Sequence, residues 1–300
     1  NNGTFYANSS VKGKVTNNTD SKLTADGAIT GDVENSGTFY ANSSIDGKVT
    51  NNTAGTLTAN GAITGDVANS GTLTAKGLID GGVTNSGNLT VSSTGTISGN
   101  VTNNTAGKLT SAIGNLQGTL TNNGTYYMTG ADVTLNKEIS GSGTTILDRN
   151  ATLGFGENAK ITGTLDLNNG IINMQEKDGE TVAYNEVSIG KLTGSGKATI
   201  DVDWANQEAD TFTSTSGDGT LSLSLNQTST ANIYETKTIK ITSGGVSISL
   251  AETTGTKTKT KIGSDNLVAD VSWTDKFGGW TRTDTYSEKI SAVSSLNTNV

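Results

Sequence analysis

The sequence predicts an all-β chain, a right-handed parallel β-helix of 16–20-residue turns finished by a C-terminal cap. Three observations carry that expectation: a composition rich in strand formers, a near-copy internal repeat, and ladders of aliphatic residues at fixed spacing. Of 300 residues, 39 are Gly and 52 are Thr, and the chain has no His, Cys or Pro. Leu, Ile, Val and Phe make up only about a fifth of it, near the composition at which disorder begins. The net charge of −8 is modest for this length, so self-repulsion is weak, and Thr and Val favour strands over solvated coil.

The repeat is the strongest of the three. Asn1-Asn2-Gly3-Thr4-Phe5-Tyr6-Ala7 returns as Asn35-Ser36-Gly37-Thr38-Phe39-Tyr40-Ala41, and Gly27-Ala28-Ile29-Thr30-Gly31-Asp32-Val33 returns as Gly61-Ala62-Ile63-Thr64-Gly65-Asp66-Val67. Residues 1–34 and 35–68 are thus close copies, and each divides again into two shorter units.

The ladders expose the shorter period. One runs Phe5, Leu23, Phe39, Leu57, Leu73, Leu89, Leu109; a second Val11, Ile29, Ile45, Ile63, Ile79, Ile97, Ile113; a third Val15, Val33, Val49, Val67, Val83, Val101. Steps are mostly 16 or 18 residues, and the second and third ladders share the signature Ile-x-Gly-x-Val. Neighbours of these anchors are Thr, Ser, Asn, Asp and Lys, the period-two alternation of a strand with one buried face.

A unit of 16–18 residues with three such strands is too small to hold its own core. Stacked as successive turns of a coil, however, each Leu, Ile and Val lies over its equivalent, and the ladders become a continuous interior. The corner sequences Asn-Asn-Thr, Asn-Ser-Gly and Asn-Asn-Gly suit that path: Asn and Gly tolerate a left-handed backbone, and stacked Asn side chains can hydrogen-bond along the axis. A β-sandwich or propeller is the competing architecture, but its hairpin or blade repeats would be longer.

Three segments follow: regular repeats over 1–121, an irregular continuation with longer turns over 122–250, and a capping segment with linker over 251–300. In the last, Thr256 to Lys261 sets three lysines on one strand face, which discourages an edge strand from pairing with a second molecule, with an anion-attracting patch as the alternative. Trp273, Phe277, Trp280 and Tyr286 read as a cover for the final turn, with carbohydrate stacking as the sharper alternative. Ile290, Val293, Leu296 and Val300 have helix-compatible spacing, as a short linker helix or a frayed end.

Composition also bounds the chemistry. Without His or Cys there is no imidazole base, no thiol nucleophile, no zinc site of the usual ligands and no disulfide. Asp201, Asp203 and Asp210 make an oxygen-ligand calcium site conceivable, yet nothing repeats the rhythm of calcium-binding β-rolls. Arg occurs only at Arg149 and Arg282, which argues against a lyase-type groove of clustered Asp, Lys and Arg. Tyr6, Tyr40, Tyr126 and Tyr127 sit beside ladder positions, so one of each neighbouring aromatic pair faces out; these cover Thr methyls or meet a ligand. No catalytic, cofactor-binding or metal-binding residue is assigned, and no cofactor. Dispersed Lys and a pI near 4.6 argue against nucleic acid, and no apolar run is long enough to span a membrane. Residues 1–10 lack the charged and apolar regions of a signal peptide, so the first residue reads as a processed end or a cut.

The Asn-Ser-Gly and Asn-Asn-Thr turns with Ile-x-Gly-x-Val, together with Leu192-Thr193-Gly194-Ser195-Gly196-Lys197-Ala198-Thr199-Ile200-Asp201-Val202-Asp203 and Ala209-Asp210, resemble the passenger region of a bacterial autotransporter adhesin of the fibronectin-binding or self-associating type. That resemblance implies a secreted, surface-displayed β-helix on the outer-membrane exterior. Its implied partners are a host matrix protein, a cell-surface glycan or another copy of itself, in a possible homo-oligomer. The chain departs from the family pattern in lacking the membrane barrel. The expected function is a non-enzymatic adhesin, with a structural stalk or extracellular filament subunit as the alternative and a polysaccharide lyase or hydrolase as the remote one.

Overall fold

Alternating apolar and polar residues need a strand, and a Gly or Asx pair after every two to four residues forces that strand to turn. In the computed structural model this produces a parallel β-solenoid. The structure describes residues 1–156, 158–174, 186–203 and 208–229, and beyond them the strands Lys237–Ile239, Thr242–Ser243, Ser247–Leu250, Thr260–Ile262, Val268–Phe277, Trp280–Lys289 and Leu296–Thr298. Two units divide it, Asn1–Gly130 with Glu138–Ile146, and Ala131–Lys137 with Leu147–Val300.

In the first unit a rung contributes up to three short strands, for example Thr72–Ala75, Leu78–Ile79 and Val83–Asn85; at Ile45 and Ile63 a single bridge stands in place of the middle strand. Successive rungs pair in parallel with no slip. Leu73 lies opposite Leu57 on one side and Leu89 on the other, and Val83 opposite Val67 and Val101. Ile29, Ile45, Ile63 and Ile79 are joined in sequence by single parallel bridges. The aliphatic ladders are therefore vertical columns, and Leu57, Leu73, Ile63 and Ile79 are wholly buried. Two more inward columns complete the interior. The fourth residue of the first strand is small at Ala25, Ala41, Ala59 and Ala75, and the third residue of the third strand is Asn at every rung from Asn17 to Asn122.

The Asn column is a polar line inside an apolar core. Nδ2 of Asn17 donates to Oδ1 of Asn35 (2.8 Å), Asn35 to Asn51 (2.7 Å), Asn51 to Asn69 (2.8 Å), Asn69 to Asn85 (2.7 Å), Asn85 to Asn103 (2.8 Å) and Asn103 to Asn122 (2.8 Å). The second amide hydrogen is also used: Asn69 reaches the carbonyls of Gly71 and Asn88. A buried amide satisfied on both hydrogens and on its oxygen carries no desolvation debt, and it repeats the spacing of the backbone ladder. The same line dictates the corner Gly. A Cβ on Gly55 would stand 2.4 Å from Oδ1 of Asn51 and 2.5 Å from the Asn35 carbonyl.

Two corner expectations change here. Positive φ in the first unit falls on Asp20, Gly13, Gly130 and Gly141 and not on the Asn corners, so those Asn serve as hydrogen-bonding groups and not as left-handed residues. Corner Gly is required by close approach of the rung below. The second ladder also ends differently: Ile97 pairs with Leu116, because Ile113–Asn115 winds into a 3-10 turn within a longer rung. Ile113 is nevertheless mostly buried.

In the second unit the strands lengthen and form two parallel stacks. One orders Asp132–Leu135, Thr152–Phe155, Ile171–Asn173, Ser195–Asp203, Thr220–Ser229 and Ser247–Leu250; the other contains Lys160–Asp166, Glu186–Thr193, Thr211–Gly217 and Thr242–Ser243. Val268–Phe277 and Trp280–Lys289 form an antiparallel pair. Leu296–Thr298 is a strand between Lys237–Ile239 and Thr260–Ile262, so the helical expectation fails at Leu296, where two neighbouring strands supply backbone partners. Ile290, Val293 and Val300 lie outside the described residues.

Asn69→Ala removes an acceptor from Asn51 and a donor from Asn85, so it is expected to cost about 2–4 kcal/mol in urea unfolding, whereas the wall variant Thr74→Ala stays within about 0.5 kcal/mol. Gly65→Ala drives a Cβ to 2.4 Å from the Gly47 carbonyl oxygen, a backbone atom that cannot swing aside. A loss of about 3 kcal/mol in the same measurement is expected.

Candidate binding surface

What remains outside the columns is a set of flat walls, and the sequence makes them unlike. Outward residues of the first strands flank the Leu, Phe or Tyr anchor of each rung, which is buried in every rung but the first. Across the eight rungs from Thr4–Ala7 to Thr125–Met128 these sixteen positions hold ten Thr, three Tyr, two Lys and one Asn. No carboxylate stands on this wall. The seven acidic residues of 1–130 lie on corners or on the other two walls: Asp20, Asp26, Asp32, Glu34, Asp46, Asp66 and Asp80.

Several of those acids have structural partners. Oδ1 of Asp32 accepts the Lys48 backbone N–H at 2.9 Å, and Oδ1 of Asp66 accepts that of Gly82 at 2.8 Å. Asp26 accepts from the side chain of Asn42, which accepts in turn from Asn60, each at 2.7 Å, a second amide line on an exposed corner. Glu34 pairs with Lys14 at 2.9 Å, and that hydrogen bond and charge, with help from Asn52, hold the carboxyl below the usual carboxylate range.

The tyrosines divide as alternation requires. Tyr40 and Tyr127 point outward and are exposed, Phe39 and Tyr126 point inward and are buried, and Phe5 and Tyr6 are both exposed on the first rung. The ammonium of Lys22 lies 5.6 Å from the centroid of the Tyr40 ring. Inside, the Tyr126 hydroxyl donates to the Ser111 carbonyl at 3.2 Å and accepts from the Ser111 hydroxyl at 3.4 Å. Burial pushes the Tyr126 phenol well above its ordinary value.

Of the acidic residues considered for calcium, Asp201 and Asp210 meet each other, and the Asp203 side chain lies outside the described residues. Asp201 and Asp210 are both buried; Oδ2 of Asp210 accepts the Asp201 N–H at 2.6 Å, while the Asp210 N–H donates to the Asp201 carbonyl at 3.0 Å. This pair continues into a short antiparallel pairing in which Val202 lies opposite Ala209 and Asp203 opposite Glu208. No group of three or more metal-ligating side chains exists among the described residues. Arg149 is at a turn where its backbone N–H meets Asp148, and Arg282 lies opposite Asp275 in the antiparallel pair of Val268–Phe277 with Trp280–Lys289. Trp273 and Tyr286 stand on opposite strands of that pair, opposite Asp284 and Val271, and Phe277 lies opposite Trp280. Of the three lysines, Lys261 sits in a paired strand opposite Asn297; Lys257 and Lys259 lie outside the described residues. No helix among the described residues is long and apolar enough to cross a membrane.

With these surfaces in view, comparison with known proteins is informative about fold. The family description "Bactofilin: Polymer-forming cytoskeletal" matches residues 21–120, a third of the chain and all of it within the regular rungs. The crystal structure of the Hap adhesin of Haemophilus influenzae is similar at 17% identity and a TM-score of 0.50, over 87% of this chain and 32% of that one. At that identity the likeness is one of fold, and the chain spans about a third of that adhesin's length. No curated protein sequence matches.

Tyr126 supplies a pH test. Its folded-state pKa is raised above the ordinary value of 10.0, so its contribution is complete below that pH and is lost as pH climbs above it, by up to about 1.4 kcal/mol per unit. Thermal melts between pH 9 and 11 are expected to fall more steeply for the native chain than for Tyr126→Phe.

Proposed function

We propose that this chain is a non-enzymatic adhesin, secreted or displayed on the bacterial surface, that works through repeated weak contacts along a regular wall. The observation that carries this reading is the first wall itself: eight stacked rungs presenting Thr, Tyr, Asn and Lys in straight columns over a core that is buried from the second rung onward. One polar contact exchanged for water yields little, whereas a periodic series of them multiplies into useful avidity. The likeness in fold to the Hap adhesin agrees with this reading.

A second reading, a structural stalk or filament subunit, has its own support in the polymer-forming family description over residues 21–120. For that reading the ladders serve assembly, and the partner is another copy of the chain.

Solution size and attachment separate the two. Sedimentation of the purified chain over a wide concentration range is expected to give a constant small species, with saturable attachment to epithelial cells or matrix-coated plates. Concentration-dependent fibres with no attachment would reverse the order of the two readings.

A further inference from the structure

We infer that the first wall of the Asn1–Gly130 unit binds an extended glycan chain bearing carboxylates, laid along the axis of the stacked rungs; this deepens the adhesin reading and rests on it. The first observation is electrostatic. In a chain of net charge −8, this wall carries Lys22 and Lys108 and no acid, while all seven acidic residues of 1–130 lie elsewhere. Elsewhere in 1–130 the seven acids stand with four lysines (Lys12, Lys14, Lys48 and Lys76), so a polyanionic strand meets a net negative surface there and two cations with no acid here.

The second observation is the kind of group presented. Tyr40 and Tyr127 stand exposed in one column of the wall, with Thr58 and Thr74 in the same column between them. Tyr offers a rigid amphipathic face on which a sugar ring packs, and β-branched Thr holds its hydroxyl in a restricted rotamer, so little order is lost on binding. These groups recur about every 4.8 Å along the axis and about 6.7 Å across each strand, so a linear polymer meets the same contacts repeatedly.

The geometry disfavours other occupants. Between Lys22–Ala25 and Lys108–Ser111 each first strand is paired on both sides, so a peptide finds no free backbone edge to extend. A second copy set face to face fares poorly too. In parallel alignment Lys22 meets Lys22, and reversing one copy brings the second rung against the seventh, Lys22 against Lys108.

The test uses the whole chain and immobilised polygalacturonate, with dextran as the neutral comparison, at low and high salt. Native protein is expected to bind polygalacturonate in preference to dextran and to lose that binding as salt rises. The double variant Lys22→Glu/Lys108→Glu is expected to bind at least tenfold more weakly, and Tyr40→Ala/Tyr127→Ala several-fold more weakly. Lys12→Glu/Lys48→Glu, with the same change in net charge away from this wall, stays within twofold of native. Equal loss in both charge variants, equal binding to dextran, or no binding to polygalacturonate at low salt overturns the inference. If attachment to cells persists in those cases, the adhesin reading survives without this ligand; if attachment is also lacking, both fall.

Discussion

Everything in the first unit depends on registry between rungs, and the buried Asn line enforces it. A one-residue slip is already barred by the pleat, since it would turn Leu73 and Val67 outward, but a two-residue slip keeps the apolar face inward. A two-residue slip would put Asn69 among side chains with no amide partner and would leave its neighbours' hydrogen bonds unmet in a dry interior, a penalty no repacking offsets. Hydrophobic burial supplies most of the driving force, and the amide line selects which of several near-equal stackings is adopted.

That division of labour explains how the core can be so lean. About a fifth of the residues are large aliphatics or Phe, a fraction that would leave an ordinary globular domain marginal. In a stacked coil each of them is covered by its equivalents above and below, so Leu57, Leu73 and Ile63 are wholly buried without a second layer of structure. The remaining positions are free to be polar. Surface identity is set by which residues happen to flank each anchor, and the walls diverge in charge although the columns beneath them are uniform.

Much of this was legible in the sequence. The Leu, Ile and Val columns follow from spacing alone, and the inward and outward fates of Tyr126 and Tyr127 follow from alternation. The reason for the Asn and Gly corners was only half legible. Backbone tolerance and side-chain bonding both favour Asn, and only coordinates reveal that Asn51 uses the second while Gly55 is kept small by Asn51 itself. The Ile97 to Leu116 step was hidden because Ile113 keeps the right residue type at a plausible spacing, and a 3-10 turn absorbs the difference. Asp201 and Asp210 read as loose acids in one dimension, since nothing in their spacing reports that one carboxylate meets the other's backbone N–H. The asymmetry of the walls was available to a count, but only once the rung boundaries were known.

The near-identity of residues 1–34 and 35–68 has a genetic corollary. Because the double rung begins and ends on the same column positions, deleting or duplicating a whole copy rejoins Leu to Leu, Val to Val and Asn to Asn with no new packing problem. Unequal recombination between the two copies would therefore yield folded progeny that differ in height by two rungs, roughly 10 Å. Such a gene can vary the reach of its product in steps, without passing through an unstable intermediate.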